Sequence, residues 1–190
     1  RCVHMRNFIS SRSLRTLATA TVVALAASMT VVVIDSAAAA DCSPIKSTGK
    51  AVGAITIGSL TMPIKSFNYP AGGIMEPEKN TTAAGLSARH MPLSSKVGSS
   101  VIVWHRDYKG CIHALNTFMS KSAGTKFSIT DEKGVTTKYR LNLVKVISKG
   151  DYQESWFNLI GPRQIVMFTC TGVFKSGHYE KNMVFIATPL

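Results

Sequence analysis

From residue 51 to the carboxyl end, the sequence never sustains an apolar helical period beyond a few turns. Short β-type runs recur instead between Gly, Pro and Asn breaks. "AVGAITIGSLTMPIKSF" (51–67) carries β-type residues interrupted by Gly and Pro, and "NYPAGGIMEPEKNTTAAG" follows as a turn-rich loop. "SSVIVWH" reads as a strand ending at His105, and "CIHALNTFMS" (111–120) as a short helix with Ile112, Leu115 and Met119 on one face. "TKFSITDEKGVTTKYRLNLVKVI" predicts a strand, a turn at Asp131 to Gly134, and a second strand. In that second strand Tyr139, Leu141, Leu143, Val144 and Val146 take the apolar side, with Lys138, Arg140, Asn142 and Lys145 largely opposite. "QIVMFTC" and "NMVFIAT" close the chain as two more strands. Apolar residues make up 45% of the chain and charged residues 17%, enough to pack a core. The pattern therefore predicts an all-β (mainly β) barrel or sandwich.

The amino end follows a different logic. Arg6, Arg12 and Arg15 precede an apolar run from Leu17 to Ile34, and the small-residue stretch "DSAAAAD" follows it. Positive, then apolar, then small is the order of a secretory signal. The run also just reaches membrane-spanning length. Either cleavage falls near Ala40, or residues 17–34 stay as an apolar helical anchor with the positive end inside. Both outcomes export residues 41–190. The expected organisation is a signal or anchor over 1–40, a linker over 41–50 and one domain over 51–190. That domain is expected on the outer face of the cell membrane, or secreted.

The formal net charge is +12, from 22 basic and 10 acidic residues. Setting aside residues 1–40 removes four arginines and Asp35, leaving 18 basic and 9 acidic residues, or +9. A basic body attracts anionic polymers, but these lysines are scattered between Lys46 and Lys181 without a long run. No nucleic-acid module, phosphate loop or nucleotide motif accompanies them, so no nucleic-acid partner is expected. His90, His113 and His178 lack a Cys or carboxylate at metal spacing, and no metal site is expected. The exported part holds three cysteines, Cys42, Cys111 and Cys170. One bridge plus one thiol is the natural arithmetic, and a Cys42–Cys111 bridge would leave Cys170 as the thiol.

His105 and Cys170 share one feature: each terminates an apolar strand. Strand ends are where a rigid barrel displays reactive groups. A thiol attacks as thiolate, and a neighbouring imidazole lowers its pKa or protonates the leaving group. A structural cysteine and an ordinary histidine would fit the same positions, so the residues alone leave both readings open.

A resemblance covers residues 51 to 188. "ITIGSLTMPI", "GSSVIVWHRD", "GTKFSITDEKGVTTKYRLNLVKVI", "IVMFTCTG" and "HYEKNMVFIATPL" together resemble, in order and spacing, the sortases of class A, E and F type. Sortases are the cysteine transpeptidases that attach proteins to Gram-positive cell walls. The resemblance implies a closed β-barrel of about seven or eight strands with one or two short helices, preceded by the N-terminal apolar helix. It makes Cys170 the nucleophile and His105 its partner. It implies as substrates surface proteins carrying a C-terminal LPxTG-like sorting signal, cut at a Thr-Gly-type bond. The acceptor would be an amine of a peptidoglycan precursor or a pilin lysine.

The family arginine has no counterpart here. Ungapped alignment puts Asn182 at its commonest position and Glu180 at another, while Lys181 alternates to the opposite face. Asn182 and the more distant Arg163 are therefore the candidates for oxyanion or substrate contact. Trp104 stands where the family usually has Gly before the histidine. No cofactor is implied, although Glu76 and Glu78 lie in the loop where some sortases bind calcium. Two competing readings are a surface-binding module that keeps the groove but not turnover, and an L,D-transpeptidase. For the latter, "KGCIHALN" around Cys111 resembles the Gly-Cys-Ile-Arg motif, without the preceding histidine.

Overall fold

The computed structural model describes residues 45–71 and 73–190. The strands are β1 (Ala51–Ile57), β2 (Leu60–Phe67), β3 (Ala84–Ser87), β4 (Ser99–Trp104), β5 (Asp107–Tyr108) and β6 (Cys111–Ile112), followed by β7 (Lys126–Thr130), β8 (Thr136–Ser148), β9 (Gln164–Lys175) and β10 (His178–Pro189). Eight of them close a barrel in the order β1-β2-β3-β4-β9-β10-β8-β7, while β5 and β6 form a separate ribbon. Two 3₁₀ turns, Ala114–Ser120 and Glu154–Phe157, are the helical elements among the described residues. The fold is thus a mainly-β closed barrel with little helix. Residues 17–34, expected as an apolar helix, lie outside the described residues, as does Cys42 of the expected bridge.

Two seams of the barrel are parallel, β2 with β3 and β4 with β9. A parallel pair cannot be closed by a tight turn. Long connections therefore leave these seams, and one of them, residues 68–83, carries the turn-rich stretch. Both faces of β4, β9 and β10 are covered. Ile102, Trp104, Ile165, Met167 and Phe185 pack inside the barrel, and Val101, Val103, Val166, Phe168 and Val184 pack outside it against Trp156 and Ile147. This two-sided burial is why "SSVIVW" and "QIVMF" read as continuous apolar runs rather than alternating ones.

Three local expectations change. On β8, consecutive β10 residues Ile186 and Ala187 face Leu143 and Leu141, so Asn142 is an extra residue in the ladder. This bulge reverses the phase of alternation. Tyr139 and Leu141 face the interior, Val144 packs against it after the bulge, Ile147 is buried outside, and Val146 is exposed. In "CIHALNTFMS", Cys111 and Ile112 form β6, and Ile112 is 75% exposed. Leu115 and Phe118 are the buried helical positions. Finally, β9 does not stop at Cys170 but runs to Lys175, in a hairpin with β10.

His113 starts the first 3₁₀ turn. Its Nδ1 accepts the Leu115 amide at 3.2 Å and its Nε2–H donates to the Ala83 carbonyl at 3.1 Å, which requires a neutral ring. Burial lowers its pKa from 6.5 to about 4, with the Ala83 carbonyl opposing and the nearby His105 adding to the shift. Between these values the unfolded chain binds a proton that the folded chain does not. Stability is therefore full above pH 6.5 and falls as pH drops toward 4. His113→Gln should remove up to about 3 kcal/mol of that fall. Urea denaturation across this range measures it, and an unchanged slope would contradict the assignment.

Candidate functional site

The β4–β9 ladder ends with Val103 opposite Phe168 and Trp104 opposite Thr169. His105 and Cys170 are the residues that directly follow this last rung, one on each chain segment. Across the other edge of β9, Cys170 pairs with Asn182 of β10, and Asn182 pairs with Ile147 of β8. Continuing the register by one step sets His105 level with the Cys170–Asn182 pair, in one row. By alternation the row lies on the outer face, directly beyond the apolar row Val103, Phe168 and Val184. Directly opposed residues of an antiparallel pair hold their Cβ atoms roughly 4.5–5.5 Å apart. Cys170 is half-buried, and beside it β9 has lost its β4 neighbour, because the ladder has stopped.

His105 is 7% exposed, and its Nε2–H donates to the Pro77 carbonyl at 3.1 Å. The loop bearing Pro77 is fastened at two points. Asn80 accepts the Thr82 and Ala83 amides on Oδ1 and donates to the Glu78 carbonyl. The Glu78 carboxylate accepts the Ser47 hydroxyl and both the amide and hydroxyl of Thr48. Those donors, Ser47 first, hold its pKa below the usual value. Glu76 pairs with Lys79 at 3.9 Å. Among the described residues no cluster of three or more His, Cys, Asp or Glu could hold a metal ion.

Behind the row, Trp104 fills the barrel end, stacked on Phe185 with ring centroids 5.8 Å apart. Its Nε1–H donates to Asn116, whose amide donates in turn to the Arg106 carbonyl, so the indole also fixes the backbone after His105.

Asn182 is 9% exposed and its Nδ2 donates to the Tyr152 hydroxyl at 2.7 Å. Tyr152 comes from the loop between β8 and β9, with its ring edge-on to Phe157 and Phe168. Burial raises its pKa, the Cys170 charge adds to the rise, and Asn182 opposes it. Tyr152 belongs to no motif, and nothing in the sequence singles it out.

Arg163 is not in the row. It lies just before the first residue of β9, with its guanidinium donating to the carbonyls of Gly98 and Leu93. Cys170 is a further seven residues along an extended strand, roughly 20 Å away. Arg106 is nearer: its guanidinium stacks 4.8 Å from the Tyr179 ring centroid and reaches the Gly172 carbonyl at 3.5 Å. Gly172, at φ +82°, lies in a bulge opposite Glu180, which is exposed. Cys111 is buried within β6, in the ribbon separate from the barrel strands of the row.

Comparison with known proteins gives one family and one fold. The family described as Sortase domain matches residues 60–190. No curated protein sequence matches significantly. Among solved structures, the lid mutant of Streptococcus agalactiae sortase C1 superposes with a TM-score of 0.58 at 17% identity, covering 77% of this chain and 72% of that one. Sortase A from Corynebacterium diphtheriae gives 0.57 at 16% identity, covering 76% and 63%. Sortase C from Clostridium perfringens SM101 gives 0.53 at 16%, covering 75% and 71%. At these identities the structural likeness is one of fold.

The Pro77 contact depends on a close approach. A Cβ on Gly85 would stand 2.8 Å from both Pro77 Cβ and Phe67 Cδ1. Gly85→Ala should therefore displace the loop from His105, at a cost of about 1–3 kcal/mol. Hydrogen exchange should speed up at the Asn80, Thr82 and Ala83 amides. Unchanged protection there would show that the loop does not depend on this gap.

Proposed function

The chain belongs to the sortase family of cysteine transpeptidases, and from that premise we propose that it cleaves a C-terminal sorting signal at a Thr-Gly-type bond through Cys170. The observation that supports the reading is the register, which pairs Cys170 with Asn182 and ends the β4–β9 ladder at Trp104–Thr169, one residue before both His105 and Cys170. The thiolate of Cys170 attacks the scissile carbonyl carbon. The C–S bond forms, the carbonyl π pair moves to oxygen, and collapse of that oxyanion expels the amine. His105 supplies the proton that the departing amine needs. The resulting thioester is then opened by an acceptor amine, from a peptidoglycan precursor or a pilin lysine, and the thiol is regenerated.

In this reading surface proteins are the donors and no cofactor takes part. The run at residues 17–34 tethers the domain to the membrane or directs its secretion.

A second reading has one observation behind it: no arginine stands in the row. A barrel that retains the row and binds sorting signals without turning them over fits that observation too.

The deciding experiment incubates the full chain with a library of sorting-signal peptides and looks for a thioacyl adduct by mass spectrometry. An adduct on Cys170 that vanishes in Cys170→Ala supports the transpeptidase. His105→Ala should slow its formation by roughly 10²- to 10⁴-fold. Peptide binding with no adduct would favour the binding module, and an adduct on Cys111 would favour the L,D-transpeptidase reading.

A further inference from the structure

Acyl transfer to a thiolate builds negative charge on the former carbonyl oxygen, and a buried site must meet that charge with a donor. The row itself offers one neutral amide, that of Asn182, and a hydrogen of this amide is given to Tyr152. Accepting this bond leaves the phenol its own O–H to donate.

We propose that Tyr152 is a catalytic residue, its hydroxyl donating to the oxyanion formed at Cys170, and that Asn182 positions it. The proposal rests on the reading of Cys170 as the acyl-accepting nucleophile. Three features place the hydroxyl. Asn182 stands directly across the ladder from Cys170 and holds the phenol oxygen at 2.7 Å. The ring is wedged against Phe168, two residues before Cys170 on the same face, with centroids 5.7 Å apart at 81°. Phe157 holds the ring from another side at 6.0 Å and 72°. Tyr152 is 46% exposed, and its partial burial and the neighbouring Cys170 charge both raise the phenol's pKa, so it remains a donor while the nucleophile is charged. No proton is transferred: the thiolate adds to the carbonyl, the oxygen takes the π pair, and the Tyr152 O–H shortens onto it until collapse.

The test separates oxyanion chemistry from peptide recognition. In full-length wild type and Tyr152→Phe, the acylation of Cys170 by p-nitrophenyl acetate is compared with its alkylation by iodoacetamide. Each is followed on the Cys170 peptide by mass spectrometry. Acylation passes through an oxyanion and displacement of iodide does not. Phe keeps the ring contacts and removes only the O–H. Tyr152→Phe should slow acylation roughly 10²-fold and change alkylation by less than about twofold. Adding Asn182→Ala to Tyr152→Phe should cost little more, because the two act as one unit. With any sorting-signal peptide that turns over, kcat should fall and KM hold.

Equal acylation in wild type and Tyr152→Phe overturns the proposal, as does an equal fall in both reactions. A Cys170 inert to the ester overturns it together with the nucleophile. If wild type reacts with the ester but with no sorting peptide, the sorting-signal reading fails, and the Tyr152 comparison still decides this proposal.

Discussion

The parallel ladder between β4 and β9 is the contact on which the rest depends. From Ser99 opposite Gln164 to Trp104 opposite Thr169, it fixes which residues of two distant segments share a level. A slip of one residue would send every side chain of β9 to the other face. Cys170 would then point into the barrel and Thr169 into the outer stripe. The two-sided apolar burial of both strands makes that slip costly, because polar Thr169 and half-exposed Cys170 would trade places with buried neighbours. At the last rung Thr169 adds a side-chain bond to the Trp104 carbonyl at 3.1 Å, which locks the register where it matters for His105 and Cys170.

The row is polar at the end of an apolar face, and such groups cost about 1–3 kcal/mol each if left without partners. The partners recorded here come from elsewhere in the chain. His105 is satisfied by Pro77 from the loop before β3, and Asn182 by Tyr152 from the loop before β9. The barrel supplies the order of the row, and the loops make it affordable to bury.

The same division explains what could be read in advance. Strand existence was legible because apolar runs between turn residues carry the two-sided burial of β4, β9 and β10. His105 and Cys170 stand out in the sequence because both close such runs. The phase error at Val146 came from a bulge at Asn142, which is a property of pairing between β8 and β10 and leaves no mark in either strand alone. The early stop assigned to β9 mistook the loss of one neighbour for the end of the strand. Gly172 at positive φ bends the hairpin without ending it. Arg163 looked available because charge is visible in a sequence, whereas its use in holding the Gly98 and Leu93 carbonyls is not. Tyr152 was invisible for the opposite reason, since nothing local sets it apart from any loop tyrosine.

The leading arm of the domain, Ile45 to Thr48, has a mechanical meaning. It is hydrogen-bonded to the loop before β3 through Thr81, Thr82 and Glu78, and the Glu78 carboxylate takes three of its donors. Glu78 directly follows Pro77, whose carbonyl holds the His105 ring. One load path from the arm into the domain therefore runs through the residue next to the imidazole's clamp. Tension on that arm would be shared between β1 and β2, which it meets directly, and the loop whose Pro77 carbonyl holds the histidine.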